Sequence, residues 1–175
     1  ASAIYEFNRA IIDSTHDLVC AYKINSAFYE AKTETWEAMQ HTFLYLQKTH
    51  PEIPVILDAK RADIGNTNEG YVKMAFENLK ADAITVHPYL GKEALGPFLA
   101  HEDKGIFVLV RTSNPGSGEL QSLEMEGKPL YQLVAENIAK NWNTAGNCAV
   151  VVGATYPEEL KAVREIVGDI PILIP

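Results

Sequence analysis

Six short apolar segments recur along this chain, and they constrain the fold more than any other feature. They are rich in β-branched residues and show no polar alternation, which is typical of strands buried on both faces of a parallel sheet. The predicted strands cover residues 18–23, 55–58, 83–88, 106–112, 148–153 and 171–174. Because helical stretches lie between them, the sequence predicts βαβ units with right-handed crossovers.

Apolar residues at helical spacing mark the segments between the strands. The predicted helices cover residues 4–12, 36–46, 72–79 and 160–167. Pro157, followed by two glutamates, marks the start of the last helix. No linker, low-complexity tract or shift in composition divides the 175 residues, so we expect one domain over residues 1–175.

Two architectures fit this order of elements: an open doubly wound sheet and a (β/α)8 barrel. Chemistry-bearing residues follow nearly every predicted strand at its carboxyl end. They are Lys23, Asp58 with Lys60, His87, Thr112 with Ser113, and the segment 153–155. This distribution favours a TIM barrel, because an open sheet concentrates such residues at one switch point. We therefore expect an α/β fold, a (β/α)8 TIM barrel with about six of its eight β/α units in this chain, which looks truncated at both ends.

Composition excludes several classes of function. The net charge of −8 argues against nucleic acid as a partner, since no basic stripe is present to displace counterions. No apolar run approaches the roughly 18 residues of a membrane span, so we expect no membrane association and a cytoplasmic location. Cys20 and Cys148 lie in strand-like runs and are expected to be buried thiols, because their spacing fits no metal or redox motif.

The segment ILDAKRADIGNT places four charges directly after a buried strand. Since residues i and i+2 of a strand point to the same side, Asp58 and Lys60 should both project into the barrel mouth. Lys23 ends the neighbouring strand and is expected beside Asp58, while Asp63 lies in the following loop. Alternating charges hold one another ionised, and such an array is prepared for a reaction that creates charge. The alternative is a salt-bridge network that only closes the end of the barrel.

This segment resembles the active-site signature of the orotidine 5′-phosphate decarboxylase family, in the longer subfamily with D-x-K-R-x-D-I-G-N-T. The likeness extends along the chain. The family's second strand, with its lysine, resembles CAYKINSAFYEA, and its fourth strand resembles ADAITVHPYLG. Its fifth strand with the following loop resembles VLVRTSNPGS, and its sixth strand with the following helix resembles VVVGATYPEEL. One departure is Ile24, where many members have proline.

The resemblance implies a role for each charged residue. Lys23 would hydrogen-bond Asp58 and the substrate ribose, Asp58 would sit near the departing carboxylate, and Lys60 would deliver the proton to C6. Asp63 would reach the active site of a partner subunit, which implies a homodimer with shared active sites.

Three further residues are implied to bind substrate: Ile64 and Thr67 beside Asp63, and Ser113 against the pyrimidine. The family's first-strand aspartate has no counterpart in this sequence, nor do the phosphate loop and arginine of its seventh and eighth strands. We interpret His87 as a structural histidine at a strand end. The segment TSNPGSGE reads as a loop beside the mouth that could serve as a lid.

The implied function is decarboxylation of orotidine 5′-phosphate to uridine 5′-phosphate in de novo pyrimidine biosynthesis, a carbon–carbon lyase reaction with a nucleotide substrate. No metal or other cofactor is expected. Lysine chemistry fits, since loss of carbon dioxide leaves a C6 carbanion that Lys60 can both stabilise and protonate.

Two other functions remain open. One is a magnesium-dependent keto-sugar-phosphate decarboxylase of the same superfamily, which shares D-x-K-x-x-D. The continuation from Ile64 to Thr67, together with Ser113, speaks against it. The other is a non-catalytic barrel that binds a phosphorylated ligand, against which the complete Lys-Asp-Lys-Asp set argues.

Overall fold

The computed structural model describes residues 2–175, and strands and helices alternate along them as predicted. The strands are β1 Tyr22–Asn25, β2 Val55–Arg61, β3 Ala83–Val86, β4 Gly105–Arg111, β5 Glu124–Met125, β6 Lys128–Pro129, β7 Cys148–Val152 and β8 Ile172–Leu173. The helices are α1 Ala3–Thr15, α2 Thr33–Thr49, α3 Gly65–Val72, α4 Gly91–Leu99, α5 Gly118–Gln121, α6 Leu130–Asn137 and α7 Pro157–Val167. Turns of π-helix extend α3 over Lys73–Asn78 and α6 over Ile138–Trp142.

Six of the strands form one sheet in the order β1-β2-β3-β4-β7-β8, which is their order along the chain. The pairs β1–β2, β4–β7 and β7–β8 are parallel, whereas β5 and β6 form a separate antiparallel pair. The predicted parallel β/α architecture with six strands is therefore confirmed.

The chain divides into two compact units. The first contains the residues before 60 together with 70–85, and the second contains residues 60–69 and 86–175. The single domain predicted over residues 1–175 stays a prediction.

The core of the first unit is built from α1, α2, β2 and β3. The apolar face of α2 carries Met39, Phe43 and Leu46, all at most 1% exposed, at the spacing that predicted this helix. On the strands, Leu57 and Ile84 are fully buried. α1 packs against α2, so the first helix of the chain covers part of this core.

The core of the second unit lies between β4 and β7 on one side and α4, α6 and α7 on the other. Val108 and Val150 are paired across the two strands and are both fully buried. Phe98 of α4 and Ile138 at the end of α6 are buried as completely. α7 begins at Pro157, as predicted, because the fixed φ of proline suits the first position of a helix.

The first predicted strand, 18–23, is wrong in its first four residues. α1 extends to Thr15, so the chain needs the following residues to turn toward the sheet. Strand pairing begins only at Tyr22, whose N–H donates to the carbonyl of Pro54 at 3.0 Å. Leu18 is consequently 77% exposed, and Cys20 is an exposed thiol instead of the buried one expected. Cys148 is buried, as predicted.

The burial of the strands also departs from expectation. β3 and β7 are buried throughout, as predicted. In β4, however, buried residues alternate with half-buried ones, among them Phe107 and Leu109. The segment TSNPGSGE is not a plain loop either, since it contains a 3₁₀ turn, Pro115–Ser117, and the start of α5. Apolar content alone did not reveal which face of β4 is covered by helices.

Candidate active site

In the first unit, the paired strands β1 and β2 bring Lys23 and Asp58 together, although β1 continues two residues beyond Lys23, which was predicted to end its strand, and β2 continues to Arg61. The parallel register pairs Lys23 with Ile56, two residues before Asp58, so both charged side chains lie on the same face. Lys23 Nζ donates to Asp58 Oδ2 at 2.8 Å. Asp58 is only 6% exposed, so this is a largely desolvated carboxylate beside a more accessible ammonium. The contact expected between these two residues is present.

Thr85, near the end of β3, was missed by the sequence analysis. Its hydroxyl donates to Asp58 Oδ1 at 2.8 Å, and the residue is 1% exposed. Both oxygens of the carboxylate therefore have a donor within the same unit. The sequence did contain a signal for Thr85: it is a hydroxyl residue inside an apolar predicted strand. A buried hydroxyl there needs a hydrogen-bond partner.

Lys60 lies two residues after Asp58 in β2 and has an unusual backbone. Its φ is +48°, in the left-handed region that non-glycine residues rarely adopt. The alternation of side chains along an extended strand therefore does not determine where Lys60 points, and its projection into the barrel mouth stays a prediction. Strained backbone of this kind clusters at functional sites.

Asp63 and Ile64 form a tight turn in the second unit. Asp63 Oδ1 accepts from the N–H of Ile64 at 2.6 Å, and Ile64 is 63% exposed. Thr67 is also exposed, and its N–H donates to the carbonyl of Ile64 at 3.1 Å. The turn thus presents two of the predicted substrate-binding residues at the surface of their unit.

Asn68 anchors this turn, and the sequence analysis missed it. Its Oδ1 accepts from the N–H of Asp63 at 2.8 Å, and its Nδ2 donates to the carbonyls of Asp63 and Ala94. The residue is fully buried. Asn68 precedes the helix predicted over residues 72–79 but lies inside the observed α3, where a buried amide has a structural hydrogen-bonding role.

Ser113 follows β4 and lies against the loop after β7. A Cβ added to Gly153 would stand 2.9 Å from Ser113 Cβ and 3.1 Å from its backbone nitrogen, so no side chain fits at Gly153. The N–H of Gly153 donates to the carbonyl of Arg111 at 2.8 Å, which holds the two strand ends together. Ser113 itself is exposed and available to a ligand.

Arg111, the last residue of β4, is a buried cation that the sequence analysis did not single out. It is 5% exposed, and its guanidinium carbon lies 4.1 Å from the centre of the Tyr156 ring. Nη2 lies 3.8 Å from Glu159 Oε1, and Nη1 donates to Ser117 Oγ at 3.1 Å. The signal was an arginine at the end of an apolar strand.

His87 is half-buried in the second unit, and its backbone N–H donates to the carbonyl of Arg61 at 3.2 Å. It lines a cavity of about 470 Å³ with Tyr89, Leu120 and Tyr131, among others. The apolar walls and the backbone contact agree with a structural role for this histidine.

The part of the chain that the structure describes contains neither a metal-binding cluster nor a membrane-spanning helix. Among residues 2–175, no three histidine, cysteine, aspartate or glutamate side chains lie close enough together to hold a metal ion. None of the helices in that range combines the length and apolar character needed to cross a membrane.

Comparison with known proteins gives one consistent result. Residues 5–175 match the model of the "Orotidine 5'-phosphate decarboxylase / HUMPS family". The chain is 53% identical over 173 residues to an orotidine 5′-phosphate decarboxylase of Ralstonia pickettii, covering 99% of this chain and 64% of that protein. It is 51% identical over 174 residues to one of Cellvibrio japonicus, covering 99% of this chain and 63% of that protein. The chain thus spans a little under two thirds of the length of these curated relatives.

Solved structures agree. The OMP decarboxylase of Leishmania donovani superimposes with a TM-score of 0.94 at 41% identity, over 100% of this chain and 70% of that one. The UMP synthase of the same organism gives a TM-score of 0.93 at 42% identity, over 98% of this chain and 38% of that one. These similarities confirm the predicted TIM-barrel class, of which this chain carries six strands. The chain belongs to the orotidine 5′-phosphate decarboxylase / HUMPS family.

Proposed function

We propose that the protein containing this chain decarboxylates orotidine 5′-phosphate to uridine 5′-phosphate, in the cytoplasm and without a metal or organic cofactor. The observation that carries the proposal is the buried Asp58 carboxylate, held by Lys23 and Thr85, in a chain about half identical to proteins named for this activity. The product would serve de novo pyrimidine biosynthesis.

In the proposed reaction, the bond between C6 and the carboxylate breaks and carbon dioxide leaves. The electron pair remains on C6, which has no adjacent carbonyl to delocalise it. Lys60 supplies a positive charge near the developing carbanion and then transfers a proton from Nζ to C6. The neutral amine regains a proton from solvent before the next turnover.

Asp58 and Lys23 would act as a fixed electrostatic pair in this reaction. Because Asp58 accepts hydrogen bonds on both oxygens, its carboxylate is held in place before substrate arrives. Groups that are already oriented need not reorganise when charge develops, which is the main source of electrostatic catalysis. Lys23, whose side chain is 31% exposed, remains accessible to a ribose hydroxyl.

Substrate binding is assigned to exposed residues of the second unit. Ile64 and Thr67 lie at the surface of the turn that follows β2, and Ser113 lies at the end of β4. We assign Ser113 to the pyrimidine and Asp63 to the composite site of a homodimer, in which each subunit completes the site of the other.

The magnesium-dependent sugar-phosphate alternative has less support. Eight curated relatives at 49–53% identity carry the decarboxylase name. The non-catalytic alternative would not need the strained backbone at Lys60, which costs of order 1–3 kcal/mol.

The test is a direct assay of the full-length protein with orotidine 5′-phosphate, following the loss of substrate absorbance and the release of carbon dioxide. A keto-sugar phosphate with added magnesium forms the second arm. Turnover of the nucleotide alone supports the proposal. Turnover of the sugar phosphate alone would establish the magnesium-dependent function, and inactivity in both arms would leave a phospholigand-binding barrel.

A further inference from the structure

A β-bulge near the end of β4 redirects Arg111. β4 and β7 pair Leu109 with Val151 but Arg111 with Val152, so β4 has one more residue than β7 over this step. Without the bulge, Arg111 would lie on the same face as Leu109. Instead it shares the face of the fully buried Val152. Bulges beside active sites often serve to re-aim a side chain in this way.

One carboxylate and two aromatic rings surround the buried charge of Arg111. Glu159 Oε1 is 3.8 Å from Nη2, and the ring centres of Tyr156 and Tyr131 lie 4.1 and 6.0 Å from the guanidinium carbon. Within residues 2–175, its buried Nε has no hydrogen-bond partner. Since burying an ion pair is costly and adds little stability, stability alone does not account for an arginine here.

The hydrogen bonds of Arg111 lead to the segment 112–121, which we name the Ser113 loop. Nη1 donates to Ser117 Oγ at 3.1 Å and, at a longer 3.4 Å, to Gln121 Oε1. Gln121 Oε1 also accepts from the N–H of Thr112 at 2.9 Å, and Gln121 Nε2 donates to Thr112 Oγ1 at 2.8 Å. Arg111 therefore contacts the middle and the end of the loop, and Gln121 ties the end to the beginning.

We infer that Arg111 is a positioning residue, which holds the Ser113 loop through Ser117 and Gln121 and thereby places Ser113 for the pyrimidine. The inference rests on the proposed function where it assigns Ser113 to the substrate. Gly153 lies so close to Ser113 that Ser113 cannot move toward the loop after β7. The hydrogen bond from Arg111 to Gln121 restrains the far end of the Ser113 loop. Arg111 does not touch substrate in this role.

Arg111→Met in the full-length protein tests the inference kinetically, because methionine keeps the apolar length of the side chain but removes every donor. We expect KM for orotidine 5′-phosphate to rise about tenfold, the effect of one hydrogen bond to a charged group, while kcat changes less than about twofold, as expected when uniform binding is lost. Arg111→Lys should rescue only part of KM, because an ammonium lacks the planar fork of guanidinium. A role limited to folding would lower the active fraction, and thus kcat, with KM unchanged; that result would overturn the inference.

Arg164→Met is the matched control, since Arg164 lies in the same unit but donates to the carbonyls of Gly168 and Ile170 at the end of α7. Its KM should stay at the wild-type value. A rise equal to that of Arg111→Met would show a general effect of losing an arginine and would also overturn the inference.

Hydrogen exchange in the ligand-free protein separates this inference from the proposed function. Arg111→Met should speed the exchange of amides in residues 112–121, whereas Arg164→Met should not. Gln121→Met, which removes the link to Thr112, should have the same effect as Arg111→Met and replaces it if that variant fails to fold. Unchanged exchange in the variants of Arg111 and Gln121 would refute the role of Arg111, whereas an inactive wild type with accelerated exchange in the variants would refute only the proposed function.

Discussion

Asp58 Oδ2 accepts a hydrogen bond from Lys23 at 2.8 Å while Asp58 Oδ1 accepts one from Thr85 at the same distance. The two outer strands of three neighbours, β1 and β3, thus each supply one donor to a carboxylate on the middle strand, β2. The same hydrogen bonds therefore contribute to the stability of the first unit and hold the proposed catalytic residues in place. Unfolding experiments measure the contribution to stability, and kinetics measure the contribution to catalysis.

Thr85→Val should lower the free energy of unfolding by about 1–3 kcal/mol, because a buried carboxylate loses a donor while the volume of the side chain is kept. Urea denaturation measures the change. Thr49→Val is the matched control, since the exposed Thr49 hydroxyl donates to a helix carbonyl, and there we expect less than about 0.5 kcal/mol. Equal effects for the two variants would mean that the bond to Asp58 contributes nothing measurable.

Lys60→Ala should abolish decarboxylation, lowering kcat by at least about a thousandfold, because both the cation and the proton donor are lost. Steady-state kinetics and circular dichroism of the same sample measure activity and folding. Lys80→Ala is a close control, since Lys80 is also exposed and also has a positive φ, of 53°. Near wild-type kcat in the Lys60 variant would exclude the role of proton donor.

Exhaustive chelation should leave kcat/KM for orotidine 5′-phosphate unchanged, because the proposed chemistry relies on lysine and aspartate side chains alone. The measurement compares protein dialysed against a strong chelator with the same protein given magnesium afterwards. A large loss that magnesium restores would point to the sugar-phosphate branch of the superfamily.

Mixing two inactive variants tests the shared active site. Asp63→Asn keeps an acceptor for the N–H of Ile64, so the turn is preserved while the charge is lost. In a mixed dimer with Lys60→Ala, one site receives both defects and the other receives neither. We expect up to about a quarter of wild-type activity at equal mixing, since half the dimers are mixed and each has one intact site.

The mixing experiment needs proof of subunit exchange, for example by mass spectrometry of differently labelled subunits. If exchange is complete and the mixture remains as inactive as its components, Asp63 acts within its own subunit and the sites are not shared.

The two cysteines should differ sharply in reactivity. Burial raises the pKa of the Cys148 thiol to about 11, whereas Cys20 is exposed. A thiol reagent at pH 8 should therefore label Cys20 but not Cys148 in the native protein, and both after denaturation, as peptide mapping by mass spectrometry can show. Rapid labelling of both in the native protein would contradict the burial of Cys148.

The raised pKa of Cys148 also predicts how stability depends on pH. The native thiol keeps its proton up to about pH 11, while the unfolded chain ionises near its usual pKa of about 8.5. The unfolded state is therefore favoured increasingly between these values, and stability falls as pH rises through this window. In Cys148→Ala this part of the alkaline loss should disappear.

Periodicity along the chain was sufficient to predict the β/α alternation and the start of α7. The sequence also anticipated the contact between Lys23 and Asp58, because neighbouring parallel strands in this register place the two side chains on the same face of the sheet. These features depend on local propensity and on a repeat that each segment carries by itself. The motif match to the family rests on the same local information.

Tertiary structure decided what depends on partners distant in sequence. Thr85 and Arg111 sit in apolar strands whose sequence does not say which groups surround them, and Asn68 reads locally as one more polar residue before a helix. Their roles follow from burial, since a polar group withdrawn from water must find its hydrogen bonds wherever the fold places them. The bulge that turns Arg111 and the left-handed φ of Lys60 are likewise invisible in sequence, because each departs from the regular repeat on which sequence-based prediction relies.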